Sequence, residues 1–197
     1  DVDPGLVNST GEYFDLMKTT ALSPTGSLKD RFHFTYNTEE WELLSESGIS
    51  VGYGAQFHLG GNDYPRSLVV AYTESNTPAS ANNLNRGAAI ISIDGVDVAY
   101  GSDVDTLNAG LFPSNAGEDH VFEVRDLGAS ETRFITLISE AVVSDPVQNE
   151  TTFLVNGSMV GYMTFNDHIA TSEQQLIVAM TEMRDSAVDD LIVDLRY

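Results

Sequence analysis

A multi-domain α+β chain is predicted: an N-terminal helical segment over residues 1–47, a β-rich domain over 48–140, and the incomplete start of an α/β layer over 141–197. Three observations predict it. Apolar residues recur at three-to-four spacing near the start, as on one face of a helix. Between Gly48 and Ile138 the spacing shortens toward period two, and glycines punctuate it. At the end an amphipathic stretch runs directly into Leu191-Ile192-Val193, a short apolar run flanked by acids that reads as a buried strand.

In the first segment, Phe14, Met17 and Ala21 hold the helical spacing, Ser23-Pro24-Thr25-Gly26 breaks it, and Glu39 to Leu44 forms a second amphipathic piece. In the second, strands are expected over 55–59, 67–72, 88–93, 121–126 and 133–138, with turns at Asp94-Gly95 and Gly128. Ser102 is the expected N-cap of a helix whose face carries Val104, Leu107 and Leu111. In the third, Phe153-Leu154-Val155 and Met159 to Phe165 flank Asn156-Gly157, the pattern of a hairpin. A capping box, Thr171 with Gln174 or Ser172 with Gln175, opens a helix with Leu176, Met180, Met183 and Ala187 on one stripe. Strand, helix, strand is a βαβ unit with a right-handed crossover.

Composition narrows the function classes. At 197 residues with 42% hydrophobic content, the chain can bury roughly 70% of its unfolded surface. No apolar run approaches the ~20 residues of a membrane span, and no charged stretch followed by an apolar one marks a signal peptide. Thirty acidic residues against nine basic ones give a formal charge of -21, which repels phosphate backbones and argues against nucleic-acid binding. The acids are scattered, as on a solvated surface, and that surface with so few lysines suits an extracytoplasmic setting. Zero cysteines exclude disulfides and thiolate chemistry.

Gly48-Ile49-Ser50-Val51-Gly52 matches the G-x-S-x-G nucleophile elbow, but no strand leads into it and no helix follows, so Ser50 reads as a loop residue. Shifted by a few residues, Gly52-Tyr53-Gly54-Ala55 enters a strand at Gln56-Phe57. Glycines there let successive backbone amides converge on one anion, and the strand edge beside them can pair with an extended peptide. The bland alternative is that Gly52 and Gly54 only turn the chain.

Thr77-Pro78-Ala79-Ser80-Ala81 followed by Asn85-Arg86-Gly87-Ala88-Ala89-Ile90-Ile91-Ser92-Ile93-Asp94-Gly95 resembles the PDZ signature of a small-residue turn and then G-D-x-I-x-x-I-D-G, with Ala88 where the family carries aspartate. That likeness covers roughly 48–139. With Val160 to Phe165, the following helix, the closing Asp194-Leu195-Arg196-Tyr197 and the earlier Asp30-Arg31-Phe32-His33-Phe34, the chain resembles the carboxy-terminal processing (tail-specific) serine proteases. The resemblance implies a PDZ-like β-barrel or sandwich with one or two helices, then the start of the protease core. It implies capture of protein or peptide C-termini, with carboxylate donors at Gly52, Tyr53, Gly54 and Ala55 and a groove lined by Phe57, Val104 and Leu107. It also implies a location outside the cytoplasm, in the periplasm or on a membrane anchored through a removed N-terminal signal.

In that family the closing strand leads into an Asn-Gly-Gly oxyanion loop, with a serine nucleophile and a lysine base after it. None of those residues occurs here, so no catalytic residue is assigned and these 197 residues are expected to be inactive, although the parent protein is expected to be an enzyme. Lys18 and Lys29 stand outside the catalytic part. The alternative is a stand-alone PDZ-type binding module, and homo-oligomerisation stays open. No cofactor or metal is expected. The four histidines have no ligand spacing, and an EF-hand begun at Asp103 would meet Leu107 and Ser114 where ligands are needed.

Overall fold

The computed structural model describes every residue except Asp1, Val2, Pro4, Leu6, Thr25, Ser27, Arg31, Phe32, Asn62, Asp63 and Tyr197. Two units form, Asp1–Trp41 and Glu42–Tyr197. In the first, α1 (Thr10–Met17) starts at Ser9, whose Oγ accepts from Glu12 N at 3.1 Å, and buries none of its residues. Lys18 pairs with Asp15 at 2.8 Å, and Leu22 bridges Leu28 across the predicted break. Arg31, Phe32 and Tyr197, which carry part of the family resemblance, lie outside the described residues.

Helix α2 (Thr38–Ser47) stops because Gly48 adopts φ +68 and returns its amide to Leu44 O at 2.9 Å. The chain then enters β1 (Ile49–Gly52), antiparallel to β8 (Glu140–Val143). Ser50, expected in a loop, is a strand residue opposite Val142, with no elbow around it.

A larger sheet follows the order β2 (Ala55–Gly60), β3 (Ser67–Thr73), β4 (Ala89–Ile93), β6 (Asp119–Arg125), β7 (Arg133–Ile138), with β5 (Val96–Asp97) added to β4. These strands fall where alternation places them. Phe122, Val124, Ile135 and Leu137 point inward and are buried, whereas Phe134 and Ile138 face out. Leu68, Val70, Ile90 and Ile93 complete that face, and Ala79 of α3 (Pro78–Ala81) and Leu107 of α4 (Val104–Leu111) pack on it. The sheet does not close, so the barrel option is corrected to an open, helix-covered sheet.

Two helix starts differ from expectation. Asp103, not Ser102, caps α4: its carboxylate accepts from Thr106 N at 3.1 Å and Thr106 Oγ1 at 2.8 Å, because a carboxylate reaches both donors. The capping box belongs instead to α3, where Thr77 and Ser80 satisfy each other's amides.

The last layer is the sheet β11-β10-β9. Strands β9 (Val147–Val155) and β10 (Ser158–Phe165) form the predicted hairpin around Asn156 at φ +51 and Gly157 at φ +92, and β10 runs parallel to β11 (Asp190–Asp194) across α5 (Ser172–Asp185). Neither capping box forms on α5. Ser172 Oγ accepts from Ile169 N at 3.0 Å, and Gln175 Oε1 accepts from Val147 N at 3.1 Å, so both side chains tie the helix to its surroundings. The packed stripe is also rotated: Leu176 and Ala179 join the cluster of Val147 and Met163, Met183 is buried, and Met180 is exposed.

Candidate peptide-carboxylate site

The turn from β1 into β2 is built around Gly54. Its φ is +74, and a Cβ there would lie 2.4 Å from Thr77 Cβ, Cγ2 and Oγ1, so only glycine fits under the start of α3. Both carbonyls of the turn are engaged. Tyr53 O accepts from Ala79 N at 2.9 Å, and Gly54 O accepts from Glu74 N at 2.7 Å. With the carbonyls held, the Tyr53 and Gly54 amides enter no hydrogen bond among the described residues.

Tyr53 anchors the turn from below. Only 2% of its surface is exposed; its hydroxyl donates to Gly110 O at 3.0 Å, and its ring meets Phe122 edge-on at 5.6 Å. Burial, with Asp94, Glu118 and Asp119 nearby, holds that phenol above the ordinary tyrosine range. The bond to Gly110 ties the turn to the carboxyl end of α4. On the far side of β3, the outer edge of β2 carries no strand among the described residues.

The predicted residues therefore sort into two sets. Gly52, Tyr53, Gly54 and Ala55 sit together at the mouth of β2; Gly52, Gly54 and Ala55 are half-buried. Phe57 stacks on Phe122 at 6.3 Å and belongs with Leu107 to the same apolar cluster as Tyr53 and Ala55. Val104 does not join that cluster and is 42% exposed at the first turn of α4. Leu111, one turn beyond Leu107, packs there instead; its helical spacing was the available signal.

Three functional-looking arrangements escaped sequence reasoning. At the carboxyl end of β11, Asp194 Oδ2 accepts from Tyr162 Oη of β10 at 2.9 Å, and Arg196 grips the same carboxylate through Nε at 2.8 Å and Nη2 at 2.5 Å. Arg196 first, then Tyr162, holds the nearly buried Asp194 well below the usual carboxylate range. A fork of this kind fixes where the chain leaves the sheet. Beside it is a cavity of about 440 Å³ lined by Tyr72, Arg86, Gln148, Asn149, Tyr162 and Asn166 among others. Both side-chain polar atoms of Asn166 are buried without a partner, which marks an unmet hydrogen-bonding capacity. Third, the buried carboxylate of Glu74 joins Ser144, Asp145 and Gln148.

Solved structures share this architecture. A protein from Bacteroides fragilis assigned to the S41 proteases aligns over 77% of this chain and 43% of its own length, at 20% identity and a TM-score of 0.54. A photosystem II D1 C-terminal processing protease aligns over 75% of this chain and 40% of its own, at 23% identity and the same TM-score of 0.54. The chain thus spans less than half the length of either, and what is shared is the fold: the larger open sheet followed by the βαβ layer, in the order that the sequence resemblance implied. No family model matches the chain, and no curated protein matches it.

Proposed function

We propose that this chain is the tail-capturing part of a C-terminal processing serine endopeptidase. The observation that carries it is the 52–55 turn, which engages the Tyr53 and Gly54 carbonyls and, among the described residues, leaves the amides of the same two residues unpaired at the mouth of an open strand edge. Amides so placed fit a terminal carboxylate, and the free edge of β2 fits the extended residues before it. Phe57 and Leu107 supply the apolar floor for the last side chain, and Val104 the exposed rim.

The α/β layer supports the protease half of the reading. Ile192 and Val193, on opposite sides of β11, are substantially exposed, as are Leu195 just past it and Ile177, Val178 and Met180 of α5. A strand apolar on both faces belongs inside a parallel sheet. These surfaces favour a larger catalytic layer over a stand-alone binding module.

A peptide ending in a free carboxylate after an apolar residue is expected to bind with roughly micromolar affinity, because ordering an extended tail offsets much of the contact energy. Its C-terminal amide loses charge-assisted bonds of about 1.5–3 kcal/mol, so it is expected to bind about tenfold more weakly or worse. Calorimetric titration of the two peptides decides it, and equal affinities would sink the carboxylate site.

A further inference from the structure

Glu74, just past the end of β3, is 5% exposed and holds two parts of the fold at once. Its amide donates to Gly54 O at 2.7 Å and its carbonyl accepts from Thr77 Oγ1 at 2.8 Å, so its main chain fixes the 52–55 turn. Its carboxylate binds the connection from β8 to β9. Ser144 Oγ donates to Oε1 at 3.1 Å, Asp145 N donates to Oε2 at 3.3 Å, and Gln148 Nε2 donates to the same oxygen. That connection is tied onward, with Asn166 N donating to Pro146 O at 2.8 Å and Ser144 N to Gly48 O at 2.8 Å.

We propose that Glu74 is a proton-operated clamp between the 52–55 turn and the β8–β9 connection, tightened by proton uptake and loosened by proton loss. All three donors to the carboxylate are neutral. The titratable groups that act on it are the Asp145 carboxylate, a like charge, and the Tyr72 phenol on β3, with Asp167 beyond Tyr72; Arg86 lines the cavity that Tyr72 and Gln148 share. Burial pushes the Glu74 carboxyl above its ordinary range, the hydrogen bonds from Asp145 N, Ser144 and Gln148 oppose this, and the Asp145 charge adds to it.

The bonding survives proton uptake. A proton on Oε1 can be donated to Ser144 Oγ, which turns from donor to acceptor, while Oε2 keeps both of its donors. The repulsion from Asp145 disappears. Because the folded state holds this proton more tightly than the unfolded chain, stability is gained as pH falls through the folded titration point and lost as pH rises above it.

Amide exchange at Glu74, Ser144, Asp145 and Val147, corrected for intrinsic rates, tests the clamp across a pH series that brackets the Glu74 titration. Protection is expected to rise on acidification, by up to about tenfold per pH unit, the limit for one linked proton. Glu74→Gln mimics the protonated acid, so its protection should stay at the acid level throughout the series. Asp145→Asn removes the like charge and should move the Glu74 carboxyl titration, followed by carbon NMR, downward. Flat protection in the unaltered chain, an unchanged pH response in Glu74→Gln, or a titration midpoint at the ordinary ~4.3 of glutamate would overturn the proposal. No peptide enters these readouts, so their failure leaves the tail-binding proposal untouched.

Discussion

Phe122→Ala is expected to destabilise the PDZ-like part by about 3–5 kcal/mol, the range for deleting a buried aromatic side chain. Phe122 is fully inaccessible and sits where the site and the sheet meet: Tyr53 packs against its ring edge-on, and Phe57 stacks on it. Its removal leaves a cavity beneath the turn itself, so peptide binding should fall along with stability. The reporter matters. Trp41, the sole tryptophan, lies outside the unit that holds Phe122, so a probe within the sheet is needed. Near-ultraviolet dichroism of the tyrosines, or amide exchange in β4 and β6, follows it directly. Phe122→Leu, which retains most of the buried volume, should cost less. Equal losses for the two substitutions would show that the ring contacts with Tyr53 and Phe57, not the cavity volume, set the cost.

Much of the fold was legible because one face of the sheet is buried. Period-two alternation in 121–126 and 133–138 can satisfy only one register, and Asn156-Gly157 selects a tight hairpin. The misreadings have local physical causes. Periodicity on α5 gave the helix but not its phase, because Met180 and Ala179 are adjacent in sequence and the packing against Met163 chose the smaller residue. Ser102 and Asp103 are both good caps, and the Asp103 carboxylate wins because it reaches both donors of Thr106, a contact that composition alone does not show. In the site, glycine spacing located the 52–55 turn. The partners that aim it, Glu74, Thr77 and Gly110, come from separate elements and carried no pattern of their own. Likewise the Tyr162–Asp194–Arg196 fork joins residues 32 apart, which only the parallel pairing of β10 with β11 brings together.

Gly54→Ala carries the sharpest consequence for the proposed function. Two penalties coincide: a left-handed backbone, about 1–2 kcal/mol for a residue with a side chain, and overpacking against Thr77, about 1–3 kcal/mol. Gly128→Ala separates them, since Gly128 has φ +81 but nothing within 4 Å of a built Cβ. Gly128→Ala should therefore show the backbone penalty alone in urea denaturation. Gly54→Ala should show both, about 2–5 kcal/mol in all. If the chain relieves the contact by moving rather than unfolding, the part that moves is the bond from Glu74 N to Gly54 O, which aims the turn. A folded Gly54→Ala protein should then bind a free-carboxylate peptide no better than the unaltered chain binds its amide. Equal midpoints for Gly54→Ala and Gly128→Ala, with peptide binding intact, would mean that Thr77 does not shape this turn.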